Sequence, residues 1–363
     1  MASPVPFHYS TFNDERTTDM KILVTGGRGF LGAWVLKALL EAGHGARVLD
    51  RAGDRSLVHG IVGARAAEIE WHDGDVSNGG DVAAAASGCD GAIHLAGLLT
   101  PTCRDDALRA VDVNIKGTIH VFEAARRECW AGVAYASSAG VYGPDDALHP
   151  APATVYGATK LACEGIARAY WCDPAAQADG RPGHRVASVG LRPFVIYGAG
   201  RETGSSAGPS LACRAIALRQ PYVIPFTGAT GLVYVEDVAQ VFVAAATAGP
   251  QAALVLNMVG DVYTTDQMLT RLRALGPGVE LSAQGAPLPI AAELPADDLR
   301  QLVPHYQPTP LREGLLRTLE VYQRQAEQDT GSSPSVAGIS AHTPFTQTPV
   351  SYTHLTLPTK RIV

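Results

Sequence analysis

Tyr156 and Lys160 are the residues whose types and spacing most directly indicate chemistry in this chain. A phenol and an ammonium four positions apart on a helix lie on the same face. Tyrosine has an ordinary pKa of about 10, too high for a base at neutral pH, but a fixed cation nearby favours the phenolate and lowers that pKa. The two residues are therefore a candidate acid/base pair, although solvent-facing helices often carry the same spacing.

The composition is that of a large globular protein. Of its 363 residues, 46% are apolar and 18% charged, enough for one large unit or two interleaved ones. A net charge of −6 offers no basic surface for nucleic acid or anionic membrane. No apolar run could span a bilayer, and the first residues lack the order of a secretory signal. We expect a cytoplasmic protein that binds a small molecule.

The six cysteines are scattered, without CxxC or other metal-ligand spacing. Such residues are typical of reduced, mostly buried thiols in a cytosolic protein, and we expect no metal site. They are Cys89, Cys103, Cys129, Cys163, Cys172 and Cys213.

A glycine-rich turn follows the first apolar run. Residues 21–25 predict a buried strand, and the pattern after Gly32 predicts a helix. Gly26 can form the tight bend, Gly29 lets the backbone approach a pyrophosphate, and Gly32 lets helix and strand pack closely. The helix N-terminus would then face the anion.

Asp50 ends the second predicted strand, residues 46–50, a little under 20 residues after the last glycine of the turn. A carboxylate at that position can hold ribose hydroxyls. It would repel a 2′-phosphate, which favours NAD over NADP, while Arg51 beside it moderates the preference.

Further strands are predicted over residues 69–76, 91–97 and 133–138, with a helix over 112–129. Strand and helix alternate throughout, which predicts an α/β fold with a Rossmann-type, doubly wound parallel sheet. Ligands of such sheets bind beyond the carboxyl ends of the strands. That edge would bring Gly26, Asp50, Gly97 and Ser138 together, whereas His94 is predicted to pack or hydrogen-bond locally.

Five segments, taken in chain order, are similar to the motifs of one known family. They are residues 25–32, 94–97, 137–143, 156–160 and 191–198. Together they resemble the extended short-chain dehydrogenase/reductase family, also called the NAD-dependent epimerase/dehydratase family. The resemblance covers roughly residues 20–327. It implies bound NAD, a Ser-Tyr-Lys catalytic set, a smaller C-terminal α/β substrate domain, and a homodimer joined through two long helices.

The resemblance also implies roles for individual residues. Tyr156 would exchange a proton with the substrate, Lys160 would hold the nicotinamide ribose, and Ser138 would hydrogen-bond the reacting oxygen. Ser138 is preferred to Ser137 because it matches the family's hydroxyl four residues before the tyrosine of Val-Tyr-Gly. The role of Asn114, structural or catalytic, stays open. The predicted cofactor-binding residues are Gly26, Gly29, Phe30, Leu31, Gly32, Asp50, Asp75, Val76, Leu95, Ala96, Gly97, Tyr156 and Lys160.

The C-terminal half is predicted to bind the substrate. Arg201 lies in a Gly/Ser-rich loop and is a candidate for binding a carboxylate or phosphate, although loop arginines are usually only solvated. Asp237 is predicted to be a helix cap or a junction residue. A helix is predicted over residues 211–219 and another over 264–275, opened by Thr264.

The predicted organisation has four parts. Residues 1–19 form a disordered extension, 20–191 the NAD-binding Rossmann domain, and 192–327 mainly a substrate-binding region interleaved with it. Within them we expect a surface loop at 173–183, strands at 185–191 and 252–259, and a last helix at 310–327. Residues 328–363 are interpreted as a disordered tail with a non-native end.

Departures from the family pattern narrow the chemistry. Ala139 and Gly140 stand where dehydratases carry an acidic pair, which disfavours dehydration. Members of the family that act on nucleotide sugars usually carry an Asn where Val195 stands and an Arg near Thr230, both engaging the diphosphate-nucleotide portion. The sequence therefore predicts an NAD-dependent oxidoreductase or epimerase of carbohydrate metabolism, acting through a keto intermediate on a sugar, sugar acid or hydroxy acid. A nucleotide-sugar 4-epimerase and a non-catalytic dinucleotide-binding regulatory protein stay as alternatives.

Overall fold

The computed structural model describes residues 19–172, 185–249 and 251–331. The predicted loop at 173–183 lies outside these ranges, as do nearly all of the predicted N-terminal extension and most of the predicted tail. Within the described ranges, no helix combines the length and apolar character needed to cross a membrane.

Seven parallel strands form the main sheet, in the order β3-β2-β1-β4-β5-β6-β10. The strand order reverses between β1 and β4, which confirms the predicted doubly wound Rossmann-type fold. The strands are β1 (Lys21–Thr25), β2 (Gly45–Asp50), β3 (Glu70–Asp73), β4 (Gly91–His94), β5 (Val133–Ala136), β6 (Ser188–Pro193) and β10 (Ala253–Met258).

The sheet is buried on both faces, because its central strands are continuous apolar runs. Along β1, Ile22 and Val24 pack into one core while Leu23 packs into the other. This alternation is the two-residue period of a strand. Helices cover both faces, as a parallel sheet requires.

Helices α1 and α9 pack together on one face, and α3, α6 and α7 form a layer on the other. Short helices α2, α4 and α5 occupy connections. Their bounds are α1 (Phe30–Glu41), α2 (Ser56–Val62), α3 (Gly79–Ala86), α4 (Thr100–Asp105), α5 (Ala107–Ala110), α6 (Gly117–Glu128), α7 (Val155–Cys172) and α9 (Val235–Thr247).

The helix predicted over residues 112–129 is divided in the structure. A π-helical segment, Val111–Lys116, precedes α6. Asn114 within this segment hydrogen-bonds the backbone of Leu98 on both its N–H and C=O. The wider π-helical turn therefore accompanies the contact between Asn114 and Leu98. The periodicity of the sequence does not reveal this contact.

The remaining elements build the smaller C-terminal part. Strands β7, β9 and β11 form one small sheet and β8 with β12 another. They are β7 (Val195–Tyr197), β8 (Tyr222–Ile224), β9 (Ala229–Tyr234), β11 (Asp261–Thr264) and β12 (Leu281–Ala283). The helices are α8 (Gly208–Ala217), α10 (Thr265–Leu275) and α11 (Leu311–Gly331). The C-terminal half also contributes β10 and α9 to the main sheet and its covering layer.

Several predicted details can be compared with the structure. Thr264 caps α10 in a capping box with Gln267, which confirms the predicted start. Asp237 does not cap α9; its carboxylate accepts hydrogen bonds from the N–H and hydroxyl of Thr309, both at 2.7 Å, so the junction interpretation is correct. The last helix ends at Gly331 rather than 327.

Candidate active site

A cleft of about 350 Å³ lies at the carboxyl ends of β1, β4 and β5. Its walls include the glycine turn, the start of α7, Arg201 and the segments 193–196, 203–206 and 288–290. Among the described residues that line it, none is acidic, while Lys160 and Arg201 are cationic. The predicted site residues that line the cleft are Gly26, Gly29, Phe30, Leu31, Gly32, Leu95, Gly97, Ser138, Tyr156, Lys160 and Arg201.

The glycine turn fits its predicted role. Gly26 has φ +75°, and a Cβ there would lie 2.8 Å from the backbone N of Ala96. A Cβ on Gly32 would lie 2.5 Å from the carbonyl oxygen of Gly26. Helix α1 follows Gly29, and no side chain caps it. Its first N–H groups are thus available to an anion at the cleft.

Asp50 lies beside the turn rather than in the cleft wall. Its carboxylate accepts the backbone N–H of Arg28 at 2.9 Å and that of Arg51 at 2.8 Å. These bonds tie the end of β2 to the glycine turn. The position is suited to a ribose bound along the turn.

Asp75, Val76 and Ala96 are described but lie outside the lining of the cleft. Asp75 accepts hydrogen bonds from Arg109 Nη2 at 2.6 Å and from the N–H of Ser77 at 2.9 Å. Burial raises the pKa of Asp75, but these bonds outweigh that effect and lower it to about 2. The carboxylate therefore has a structural partner already.

Ser138 and Tyr156 meet around Gly140. Ser138 follows β5, and its Oγ accepts the N–H of Gly140 at 3.0 Å. A Cβ built on Gly140 would lie 3.2 Å from that Oγ and 3.6 Å from the Tyr156 ring. A Cβ on Gly157 would overlap the carbonyl oxygen of Gly140, so α7 docks directly on the Ser138 turn. This close approach was not predicted, although Gly157 follows Tyr156 in sequence.

Lys160 lies deeper on the same helix. Its Nζ donates to the carbonyl oxygen of Ala136 at 2.8 Å and lies 5.9 Å from the centroid of the Tyr156 ring. A Cβ on Gly97 would lie 3.3 Å from Lys160 Nζ and 3.3 Å from Asn114 Oδ1. The small residue after β4 therefore leaves the space beside the ammonium open.

The Asn114 side chain is held by hydrogen bonds to neighbouring protein groups. Its Oδ1 accepts the N–H of Leu98 at 2.7 Å, and its Nδ2 donates to the Leu98 carbonyl at 3.2 Å and to Thr159 Oγ1 at 3.0 Å. Both ends of the buried amide are satisfied by protein groups. Asn114 thus fixes the backbone after β4 beside Lys160.

Ser137 belongs to a different network from Ser138. Its hydroxyl donates to the buried carboxylate of Glu164. Arg192 donates to both oxygens of Glu164, at 2.7 and 2.5 Å. This arrangement occupies Ser137 and favours Ser138 as the hydroxyl that faces a substrate.

His94 is buried and hydrogen-bonded on both ring nitrogens, to Thr25 Oγ1 at 2.7 Å and Thr118 Oγ1 at 3.1 Å. Burial lowers the pKa of His94 to about 3. The prediction of a local packing role is confirmed.

Arg201 reaches the cleft from the loop after β7. Its Nη2 donates to Ser206 Oγ at 2.9 Å, and its guanidinium carbon lies 5.7 Å from the centroid of the Phe30 ring. Its Nε is buried and has no hydrogen-bond partner in the described protein.

Part of the cleft wall was not predicted. Phe194, Thr154 and the apolar segment Leu288–Ile290 line it. The segment 288–290 lies more than 120 residues after Tyr156, and tertiary folding alone places it there. Its short Leu-Pro-Ile sequence carries no functional signal. Val195 also lines the cleft, whereas Thr230 is buried in β9.

No cluster of three His, Cys, Asp or Glu side chains suited to a metal ion occurs in the described ranges. Four of the cysteines, Cys89, Cys103, Cys163 and Cys213, are buried as free thiols.

Comparison with known proteins gives a consistent family match. A model of the NAD dependent epimerase/dehydratase family matches residues 22–257. A bifunctional UDP-glucose 4-epimerase and UDP-xylose 4-epimerase from Arabidopsis thaliana is 31% identical over 173 residues, covering 42% of this chain and 48% of that protein. The human 3 beta-hydroxysteroid dehydrogenase type 7 is 31% identical over 259 residues, 66% of each chain. The chain thus spans about half the length of the first relative and 66% of the second.

Solved structures share the fold. The Thermus thermophilus UDP-glucose 4-epimerase in complex with NAD superimposes with a TM-score of 0.68 at 23% identity, over 84% of this chain and 99% of that one. At this identity the likeness concerns the fold alone.

Proposed function

Because the chain belongs to the NAD-dependent epimerase/dehydratase family, we propose that it binds NAD and oxidises a secondary hydroxyl of a small hydroxylated substrate to a ketone. The observation that carries this proposal is the meeting of Ser138 and Tyr156 around Gly140, with Lys160 beside them in the cleft that contains the glycine turn. When bound, NAD accepts a hydride from the substrate carbon.

The protein groups present fit this cofactor. The close approach at Gly26 and Gly32 and the uncapped start of α1 leave backbone N–H groups for a pyrophosphate. Asp50 would hold the adenosine ribose, and Lys160 would hold the nicotinamide ribose from its position beside Gly97. Asp75, Val76 and Ala96 stay predicted contacts for the adenosine part, outside the main cleft.

Three side chains would act on the substrate oxygen. Tyr156 would take the hydroxyl proton, with the Lys160 ammonium 5.9 Å from the centroid of the Tyr156 ring. Ser138 donates a hydrogen bond to the same oxygen, since its Oγ only accepts from Gly140. Once a hydride has been returned to the opposite face of the ketone, return of the proton through Tyr156 to the resulting oxygen would complete an epimerisation.

Dehydrogenation and 4-epimerisation share these steps, and one experiment separates them. Purified protein is incubated with NAD and candidate sugars, sugar acids and hydroxy acids, while absorbance at the NADH band and product NMR are followed. Stoichiometric NADH identifies a dehydrogenase; isomerised product without net NADH identifies an epimerase. Dehydration stays disfavoured, because Gly140 lies against Ser138 and Tyr156 and leaves little space for an acidic side chain.

A nucleotide-sugar 4-epimerase is the second candidate, supported by the names of several relatives. Val195 and Thr230 speak against it, since neither provides the polar group that usually engages a nucleotide diphosphate. Assays with UDP-glucose, free glucose and gluconate distinguish the two candidates. Conversion of UDP-glucose alone would replace the smaller-substrate proposal.

A prediction at Tyr156 tests catalysis itself. Tyr156→Phe removes the proton acceptor and should lower kcat by about 10²- to 10⁴-fold, with NAD affinity little changed. Tyr170→Phe, on the same helix but bonded to Glu123, is the matched control and should keep its activity. Equal turnover by Tyr156→Phe and wild type would support the non-catalytic, regulatory alternative.

We also propose a cytoplasmic homodimer. The family resemblance supports the dimer, and the four buried free cysteines support a reducing compartment. Light scattering during size-exclusion chromatography measures the oligomeric state, and a monomer at micromolar concentration would contradict the proposal.

A further inference from the structure

Arg201 is a cleft residue with an incomplete set of partners. Part of the side chain is exposed, but Nε is buried without a hydrogen-bond partner, and the one side-chain bond of the guanidinium is the neutral hydroxyl of Ser206. Guanidinium groups usually bind carboxylates or phosphates with two parallel bonds. Arg201 therefore has donor capacity that the described protein does not use.

The charge of Arg201 is also uncompensated. No carboxylate in the described ranges forms an ion pair with it, and the adjacent Glu202 lies 3.6 Å from Arg214 instead. Burial lowers the pKa of Arg201, which shows that the surroundings penalise its charge. A partly buried cation without a counter-ion is costly. An anion bound in the cleft would remove that cost.

Two anions can reach this cleft: the cofactor's pyrophosphate and an acidic group of the substrate. The uncapped N-terminus of α1 already serves the pyrophosphate. Arg201 instead belongs to the loop after β7 and lines the same cleft as Tyr156, the group that would contact the reacting hydroxyl. The cation therefore shares that cleft with the substrate's reacting end.

We propose that Arg201 binds the carboxylate of the substrate, so that the enzyme acts on a hydroxy acid or sugar acid rather than on a neutral sugar. This rests on the proposed function, because it assumes that Tyr156 marks the reacting hydroxyl. The apolar segment Leu288–Ile290 would then cover the carbon skeleton beside the charged end.

Binding to the enzyme saturated with NADH tests this assignment without requiring turnover. Isothermal calorimetry is performed with hydroxy and sugar acids of three to six carbons, each paired with its primary amide. Wild type should bind at least one acid about 10- to 100-fold more tightly than its amide, the range of a charge-assisted hydrogen-bonded pair. Arg201→Gln should abolish that preference, and Arg201→Lys should keep part of it.

Arg214→Gln is the matched control, since Arg214 is a partly exposed arginine next to the same loop. It should bind acids and NADH as wild type does. Equal binding of acids and amides by wild type would overturn the proposal, as would failure of every acid to bind. An equal loss of NADH and acid affinity in Arg201→Gln would also overturn it, because Arg201 would then bind the pyrophosphate.

The two proposals fail in different ways. Arg201-dependent acid binding without oxidation or isomerisation of any bound acid supports the carboxylate site and contradicts the proposed function. Turnover of neutral sugars with a KM unaffected by Arg201→Gln supports the proposed function and contradicts the carboxylate site.

Discussion

The carboxylate of Asp50 is hydrogen-bonded to the backbones of two arginines. The backbones of Arg28 and Arg51 donate to it, while the Arg28 guanidinium lies 2.6 Å from Asp73 and 5.1 Å from the Trp71 ring centroid. The Nε and Nη1 of Arg28 are buried without hydrogen-bond partners in the described protein. Because Asp73 is already paired with Arg28, Asp50 is the acid expected to oppose a 2′-phosphate in this region.

Asp50→Ser should consequently shift the enzyme towards NADP. Removal of the repelling charge should tighten NADP binding about tenfold or more, whereas NAD binding weakens because a ribose contact is lost. Fluorescence titration with NADH and NADPH measures both constants. Asp90→Ser, at the amino end of β1 where Asp90 accepts the N–H of Lys21, should change neither. An unchanged ratio of the two constants in Asp50→Ser would contradict this role.

At the scale of residues, local sequence predicted much of the site. Ser138, Tyr156 and Lys160 meet in one cleft because a strand end and the next helix determine their positions. The partner of Ser137 was not predictable, because Glu164 is 27 positions away and resembles any helical glutamate in sequence. Spacing identifies a shared helix face but not a contact between elements.

Among the elements, β4 is joined to its neighbours through His94. The ring connects Thr25 of β1 to Thr118 of α6. Both bonds use the neutral ring, and burial lowers the pKa of His94 to about 3. The unfolded chain takes up the proton near pH 6.5, so protonation favours unfolding between these values.

Stability should therefore fall as the pH decreases from 6.5 towards 3, and this histidine contributes up to about 1.4 kcal/mol per pH unit. Urea unfolding of wild type and His94→Gln at pH 7, 6 and 5 measures that contribution. The variant should be less stable at pH 7 but should lose less stability on acidification. His149→Gln is the control, because His149 is highly exposed. Parallel pH curves for wild type and His94→Gln would contradict the prediction.

Elements with local signals were predicted well, and those determined by tertiary contacts were not. The Thr264 capping box uses neighbouring residues, so its helix start was correct. The π-helical Val111–Lys116 has the composition of an ordinary helix, and its distinguishing contact lies at Leu98. The strand predicted at 69–76 ends at Asp73, because the following acids form turn and side-chain bonds.

Over the whole molecule, a polar chain that is buried at Glu164 and Asn257 joins the catalytic wall to the C-terminal part. Arg192 pairs with Glu164 and donates to the Tyr142 hydroxyl at 2.6 Å. Tyr142 in turn donates to Asn257 at 3.2 Å, and Asp297 accepts the N–H of Asn257 at 2.7 Å. The network connects α7, β6 and β10 behind Ser138.

Glu164→Gln should destabilise the protein by about 3 kcal/mol, because Arg192 would stay buried without its counter-charge. Adding Arg192→Met should recover part of this loss. Chemical denaturation of the wild type, the two single variants and the double variant gives the coupling energy. Glu68→Gln, which breaks the exposed pair with Arg65, should leave stability unchanged within error. Wild-type stability of Glu164→Gln would show that the pair contributes nothing.

The overall architecture followed from the alternation of strand and helix, but the composition of the cleft did not. Leu288–Ile290 reaches the cleft wall only because the C-terminal part folds back over the sheet. No local pattern distinguishes that segment from an ordinary apolar turn. Substrate selectivity is consequently the property that was least accessible from sequence.

Close glycine contacts around the Ser138 turn make the positions of Ser138 and Tyr156 independent of the length of the loop between them. Gly157 docks α7 on Gly140, and a Cβ on Gly143 would lie 2.6 Å from the Ala151 carbonyl oxygen. The ends of the intervening segment are thus held together, while residues 144–150 are mostly exposed. Insertions there would lengthen an outer rim without moving Tyr156 relative to Ser138. This segment is accordingly the natural place to graft a new specificity loop onto an unchanged reaction centre.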